Sequence, residues 1–560
     1  MEKYTREYYM RRLGMLRQER QPREPQWRDL IDLLFPSAGR LLENIGRDIE
    51  KQRPGDRNKI LDLTPEFSLN TMVAGMQSGI TNPSRNWFKL GSPDKDRAKF
   101  TPIRTFLDNA QETMMNIFRG SNTYRGFLKS YKERGAFGTS CTFVNFDFEH
   151  LIWSTPVTIG EYFIQENRKG IVDTVYREFD MTVSQIVEEF GLPRVSNQVQ
   201  RDYDKGDYDK WYTVVHAVEP NTKQDIRKID NRNMPYVSCY FEKGSGDDLR
   251  DKKLRESGFK IFPYLVPRWS TEGSMIYGDG PGSVALGDIK QLYDGAYNRA
   301  RLEDEIVDPA LQGPPSAMKD LESMPGGRNA VPGNDPNSRI TTLRDPNVTG
   351  INVIQESIRE RKEAIERAFF VDLFRMISSS DRRQITAREI DERSEEKLIA
   401  LGPVLENDQG EEQGPLIDIL FALGLEHGLF GPLPPDMEGM DITIEYLSII
   451  AQAQKSIGVV SKDRLLGTVA AVTQMEPNAR HKIDYNKMVD DYAEDLGVPA
   501  ELIVGNEQVA FIVKKEQEAL QAQQQAALIP EAANTAKTLS ETNTTQRNAL
   551  TDIAGSLAGV

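Results

Sequence analysis

Apolar positions recur at helical spacing through two long segments in the middle of the chain. In the first, Leu286, Ile289, Tyr293, Ala296 and Ala300 form a stripe that follows the breaker run Tyr277-Gly-Asp-Gly-Pro-Gly282 and ends before Pro309, predicting a helix over 283–307. In the second, Ile354, Ile358, Ile365, Phe369 and Leu373 predict a helix from Asn352 to about Ile377. Arg359/Glu363, Lys362/Glu366 and Glu363/Arg367 sit at supportive spacings on its flanks. Each helix reaches roughly 37 Å at its ordinary rise per residue, close to the width of a small domain. This order describes a long helical hairpin with an irregular module at its tip, and such a hairpin needs something outside itself to pack against.

The stretch between the two helices holds Pro314-Pro315, Pro325-Gly-Gly327, Pro332-Gly-Asn-Asp-Pro336 and Asp345-Pro346, too many breakers for a helix. Interspersed Val331, Ile340, Leu343 and Val348 favour a compact module of short strands over a disordered insertion. After the second helix, Ser378-Ser-Ser-Asp-Arg-Arg383 is a polar break, and a further helix is expected from near Thr386. The chain then reads as strongly helical to Gly505, with a polar helix over 508–528 and a low-complexity end.

Upstream, Tyr9, Leu13 and Leu16, then Leu30, Ile31, Leu33 and Leu34, predict two helices, the second stopped by Pro36. From Phe67 to Ile80 the residues Leu69, Met72, Val73, Met76 and Ile80 repeat at helical intervals, and Gly75 and Gly79 permit close helix packing. Between Thr139 and Tyr176 the period changes. Cys141-Thr-Phe-Val-Asn-Phe146, Leu151-Ile-Trp153, Tyr162-Phe-Ile164 and Ile171-Val-Asp-Thr-Val-Tyr176 are short β-branched or aromatic runs separated by turn formers. With Trp211–Val218 and Tyr236–Phe241 they predict a mainly antiparallel sheet, interrupted by a helix at 183–190. The fold class expected is α+β, predominantly helical.

A chain of 560 residues, 38% hydrophobic and 28% charged, has room for several domains and a large polar surface. No apolar run approaches the roughly 20 residues needed to cross a membrane, and the charged opening Met1-Glu-Lys-Tyr-Thr-Arg-Glu-Tyr8 is unlike a signal peptide, so the expectation is a cytosolic chain without membrane association. Cys141 and Cys239 both lie in strand-like apolar contexts, where reduced buried thiols are the ordinary outcome. The formal charge of −15 argues against a tight, broad grip on nucleic acid, which depends on neutralising phosphates.

Candidate chemistry is sparse. No Gly-rich loop ends in Gly-Lys-Ser/Thr, so the phosphate cradle of a motor ATPase is missing. Gly278, Gly280 and Gly282 precede a helix without a strand-derived lysine, which reads as a plain turn. His150, His216, His427 and His481 are scattered without a second ligand at metal spacing, and read as surface or packing residues. Asp202, Asp204, Asp207 and Asp209 lack the glycine and terminal glutamate of a calcium loop and read as a solvated loop. No Gly-x-Ser-x-Gly elbow is present. No catalytic residue, metal or cofactor is expected, and the chain is read as a non-enzyme.

Several runs, in order along the chain, resemble the portal (head-to-tail connector) proteins of short-tailed bacteriophages. They are Asp62-Leu-Thr-Pro65, Met76-Gln-Ser-Gly-Ile-Thr-Asn-Pro83, Trp87-Phe-Lys-Leu90, Pro263-Tyr-Leu-Val-Pro-Arg-Trp269, Tyr277–Gly282, Ala285-Leu-Gly-Asp-Ile-Lys290, Asp308-Pro-Ala-Leu311, Thr386-Ala-Arg-Glu-Ile390, Ile483-Asp-Tyr-Asn486 and Leu496-Gly-Val-Pro499. The resemblance implies a portal fold: a wing over 1–282, a stem helix over 283–307, a clip over 308–350 and a returning stem helix over 351–377. It further implies a channel (tunnel) loop over 378–384, a helix and wing or crown over 385–450, and a crown with a C-terminal barrel or tail over 451–560. It implies a homo-oligomeric ring, expected to be a dodecamer, at one capsid vertex of the virion, assembled in the host cytoplasm. Double-stranded DNA would pass through it non-specifically, and terminase, capsid or scaffolding protein and a tail adaptor would be its partners.

On that reading a mostly acidic wall keeps the DNA polyanion from sticking while a few basic rings guide it. Arg382 and Arg383 fall in the polar break that corresponds to the family's channel loop, and either form a basic ring meeting phosphates or are loop charges paired with Asp381 or Glu389. Lys290, Arg299, Arg301, Arg359, Arg361 and Lys362 are further DNA-channel candidates, against which stands pairing with flanking acids. Ile289, Tyr293, Ile358, Ile365 and Phe369 are the expected stem-packing positions. The rival readings are an enzyme of DNA packaging or processing, weakened by the missing phosphate loop, and another ring-forming tail adaptor.

Overall fold

The computed structural model describes residues 4–34, 60–93, 101–225, 227–228, 230–231, 233–244, 252–319, 321, 340–342, 348–380, 401–437 and 442–447, with helical pieces at 465–469, 472, 485, 487–489, 509 and 511–519. The chain divides into two units, 1–454 and 455–560; of the second, only those helical pieces are described.

The first unit is mixed helix and sheet. Helices α1 (Arg6–Arg20), α2 (Glu24–Leu34) and α3 (Thr64–Gly79) are followed by strand β1 (Phe88–Gly91) and by α4 (Thr101–Gly120) and α5 (Thr123–Phe137). Strands β2 (Cys141–Asp147), β3 (Leu151–Val157), β4 (Tyr162–Glu166) and β5 (Val172–Thr182) lead to α6 (Val183–Phe190) and α7 (Asn197–Lys205). Strands β6 (Trp211–Pro220), β7 (Tyr236–Glu242), β8 (Arg255–Phe259) and β9 (Tyr264–Leu265) complete the strand-rich region. Then come α8 (Pro281–Val307), β10 (Leu311–Gln312), the one-turn α9 (Pro315–Met318), β11 (Thr341–Thr342), α10 (Val348–Ala368) and α11 (Val371–Ser380). The unit ends with α12 (Gly402–Asp408), a π-helical turn (Gln409–Gln413), α13 (Gly414–Glu426) and β12 (Thr443–Tyr446).

Strands β4-β5-β6-β7-β8 form one antiparallel sheet and β3-β2-β9 a smaller one. Period-two alternation sends adjacent β6 residues to opposite faces, each covered by helix. Val215 and Ala217 pack under Tyr9, Leu13 and Leu16 of α1, whereas Val214 packs with Val183 and Ile186 of α6 and Val199 of α7. Helix α1 is polar overall, and two buried arginines extend its apolar face. Arg6 donates to the carbonyls of Glu242 (3.0 Å) and Gly244 (2.6 Å), and Arg20 to those of Gly160 (2.8 Å) and Tyr162 (3.0 Å), so strand-end acceptors are satisfied as the helix docks. Helix α6 begins with a reciprocal cap between Thr182 and Gln185 and stops at Gly191, whose positive φ ends the turn.

The elements expected at 67–80, 183–190 and 283–307 are present, as are the strands. Four readings change. The second long helix is broken: Phe370 takes a left-handed backbone (φ 53°) between α10 and α11, with no proline or glycine to cause it, and α11 then runs on through Ser378–Ser380, the start of the expected polar break. The break turns Val371, Leu373 and Phe374 into the core, where Phe374 fills a notch at Gly75 of α3. That packing outweighs a cost of about 1–2 kcal/mol for a non-glycine residue in this conformation. Asp202 is buried on α7, bonded to Lys210 (2.5 Å) and to the Tyr212 hydroxyl, while Asp204, Asp207 and Asp209 are exposed. The Gly278–Gly282 run is more than a turn: a Cβ at Gly280 would stand 2.5 Å from the Arg134 carbonyl and one at Gly282 2.4 Å from that of Ala136, so bare backbone lets α8 start against α5. In the region read as strongly helical, β12 pairs with β1, Phe88 opposite Tyr446.

A Cβ on Gly75 would lie 2.4 Å from Phe374 Cβ and Cδ1. Gly75→Ala should therefore lower stability, overpacking of about 1–3 kcal/mol exceeding the gain of up to ~1 kcal/mol in helix propensity. Gly14→Ala on α1, with open space around it, should leave stability level or raise it slightly. Denaturant midpoints of the two variants measure the difference.

Candidate assembly and channel surface

Helices α8 and α10 run against each other as the expected hairpin, and β10 pairs with β11 at its far end, Leu311 opposite Thr342 and Gln312 opposite Thr341. Residues 322–339 lie outside the described residues; among the described ones this ladder, with Gly313 against Ile340 and Met318, joins the two sides of the tip.

The base of the hairpin is deeply embedded. Ile289, Tyr293, Ile365 and Phe369 are buried in one core with Leu373 and Phe374, and Ile358 is half-buried beside Gly295. The Tyr293 hydroxyl lies 3.1 Å from both the Leu33 and the Asp62 carbonyl and shares its one proton between them, tying α8 to the end of α2 and the start of α3. Burial, with Asp62 and Glu66 nearby, pushes this phenol up to about 12, so it remains a donor. The outer half differs. Every buried side chain of α8 lies between Pro281 and Tyr293, and Tyr297 (54%), Val307 (84%) and Val353 (71%) stand exposed. At 1.5 Å per residue the part of α8 beyond Tyr293 extends roughly 20 Å. Within the subunit it is a two-helix rod whose outward faces nothing among the described residues covers.

The candidate channel cations on these helices are engaged. Arg299 pairs with Glu303 (2.7 Å), and Arg359 with Glu356 (2.8 Å) and Glu363 (3.8 Å), all one helical turn apart. Lys290 reaches Asp29 of α2 (2.5 Å), Arg361 crosses the hairpin to Asp288 (2.9 Å), and Lys362 meets Asp62 (2.6 Å). Burial opposes ionisation of Asp62, but hydrogen bonds from Lys362 and Thr64 outweigh it and hold its carboxyl below the usual range. Arg301 lies over the Tyr297 ring at 5.7 Å. Arg382 and Arg383 lie outside the described residues.

A second ionic centre went unread in the sequence. Arg134 of α5 is wholly buried and sits 2.6 Å from Asp408 and 3.4 Å from Glu412. Arg268, just after β9, binds Glu411 (2.5 Å), Glu166 (2.8 Å) and the Gly170 carbonyl (2.6 Å). The π-helical turn thus sends adjacent carboxylates to two different arginines, and fastens α12 and α13 to the sheet region. The local signal for Arg134 was a lone cation on an otherwise buried stripe with Phe127 and Tyr131, in a helix the patterning above did not pick out. Its partners more than 270 residues away carried no local signal.

Among the described residues no group of three or more His, Cys, Asp and Glu is placed to hold a metal ion, and no helix is long and apolar enough to cross a membrane. Both cysteines are free and buried. His216 is buried between the Tyr264 hydroxyl (2.7 Å) and Ser238 (3.0 Å), which makes it a packing residue.

Residues 6–504 match the family described as bacteriophage head to tail connecting protein. The chain is 39% identical over 559 residues to the probable portal protein of Bordetella phage BPP-1, covering 100% of this chain and 99% of that protein. It is 37% identical over 561 residues to the portal protein of Salmonella phage epsilon15, covering 99% of each.

Ile365 is the residue where α10 enters the core. Ile365→Asp buries an unpaired carboxylate there and should cost several kcal/mol, a large share of a typical domain's stability of about 5–15 kcal/mol. A denaturation midpoint close to wild type would show that this seam does not hold the hairpin.

Proposed function

Given that the chain belongs to the bacteriophage head-to-tail connecting proteins and is a portal protein, we propose that its copies close into a ring, expected to be a dodecamer, whose bore passes double-stranded DNA during packaging and ejection. The role is structural. Helices α8, α10 and α11 as far as Ile377 serve as the stem, the excursion over 308–350 as the clip that docks terminase and later a tail adaptor, and 378–384, which begins with the helical Ser378–Ser380, as the segment entering the channel. The strand-rich region and α12–α13 make the wing that meets capsid or scaffolding protein, and residues beyond 451 the crown and the barrel or tail. The subunit takes its place at the portal vertex of the virion after assembly in the host cytoplasm.

The observation that best supports the ring is the bare outer half of the hairpin. Helices in proteins draw most of their stability from packing an apolar face rather than from propensity. Exposed Tyr297, Val307 and Val353 would be covered if each hairpin stood between two neighbours. Cation pairing supports the passive wall: with Lys290, Arg299, Arg359, Arg361 and Lys362 each beside a carboxylate, the hairpin offers DNA little uncompensated positive charge. Class-averaged electron micrographs of the purified chain test the ring directly, since monomers or solid particles would contradict it.

Within this reading Arg382 and Arg383 guide the polyanion. Arg382→Ala with Arg383→Ala should leave ring yield unchanged and reduce DNA packaged per prohead, most clearly at low salt, because phosphate contacts weaken steeply with ionic strength. Unchanged packaging at low salt would make them ordinary loop charges; loss of rings would make them structural.

A further inference from the structure

The centre formed by Arg134, Asp408 and Glu412 contains two carboxyl groups and one guanidinium, and all three are sealed from water, at 0%, 0% and 1% exposure. Ionised together, the two acids would leave one negative charge uncompensated in the core, a state a buried site avoids by taking up a proton. The geometry separates the two acids. Asp408 lies 2.6 Å from the guanidinium, a close ion-pair contact, and also accepts the side-chain amide of Gln413. Glu412 stands off from the same guanidinium at 3.4 Å, so of the two acids it is the less compensated.

We propose that Glu412 is protonated in the folded subunit at neutral pH, making this centre a one-proton latch that holds the π-helical turn, and α13 behind it, against α5. The titratable and charged groups facing Glu412 are Arg134 and Tyr131 from α5 and Asp408 from α12, while Tyr446 of β12 bonds the Gln409 carbonyl of the same turn. Both phenols are pushed above their ordinary value, chiefly by burial, so neither exchanges a proton near neutrality. Burial likewise raises the Glu412 carboxyl to about 8, with Arg134 opposing the rise and Asp408 adding to it.

In the unfolded chain a glutamate ionises near ~4.3. Between that value and about 8 the folded chain holds one proton more than the unfolded chain, so stability falls as pH rises through this window and levels off above it. The test compares the full chain with Glu412→Gln, which keeps the shape and a donor and removes the titration. Relative to the variant, the wild-type folding equilibrium constant should fall about tenfold per pH unit between roughly pH 5 and pH 8. Infrared difference spectra should show a protonated carboxylic acid carbonyl in wild type at pH 7 that the variant lacks. Parallel pH profiles, or no such band, would overturn the assignment. A variant that failed to fold would overturn it as well, since exchanging a neutral acid for its neutral amide should be tolerated.

Discussion

Chain segments from four places in the sequence meet where the helical hairpin enters the body of the subunit. Ile289 and Tyr293 from α8, Ile365 and Phe369 from α10, Phe374 from α11 and the small-residue face of α3 form one apolar seam, and the hydroxyl of Tyr293 closes it by bonding backbone carbonyls of Leu33 and Asp62. Among the described residues the rod is covered only at its root, so there the seam must resist the leverage of the projecting part. Burial of a large aliphatic or aromatic side chain stabilises by about 1.5–3 kcal/mol, so the five large residues named are a substantial source of the root's stability.

The break at Phe370 belongs to the same constraint. A straight continuation of α10 would keep Leu373 on the stripe with Ile365 and Phe369, as the periodicity implies, but would not bring Phe374 to the bare backbone of Gly75. Close approach to α3 is bought with one residue in an unfavourable backbone conformation. Phe370 then lies beside Trp269, its ring centroid 6.4 Å away, so the kink also carries the chain toward the loop that bears Arg268.

Charge is handled in two ways. On the hairpin, cations pair with acids at partly or fully exposed positions, where each pair adds little stability but evens out the surface field. Inside, Arg134 and Arg268 collect carboxylates from the π-helical turn, and such buried pairs are costly to break because the remaining partner would be left without compensation. The turn's wider helical geometry presents Glu411 and Glu412 to separate arginines, an arrangement often associated with functional sites.

The hydrophobic pattern alone determined the helical hairpin, the strands from Cys141 onward, the helix at 183–190 and the burial of Ile289, Tyr293, Ile365 and Phe369, because each depends on a period that repeats within a dozen residues. The ordered motifs from Asp62 to Pro499 carried the portal resemblance that the full-length relatives share. Helices α4 and α5 were equally periodic, Ile103, Leu107, Ala110 and Met114 marking the first, and were legible in principle. What only the tertiary structure decided was which distant groups meet: Arg134 with Asp408 and Glu412, Lys362 with Asp62, Phe374 with Gly75, β1 with β12. A periodicity reports that a side chain has a partner face, but the identity of that partner follows from how the whole chain closes on itself, and no local pattern encodes a pairing across hundreds of residues.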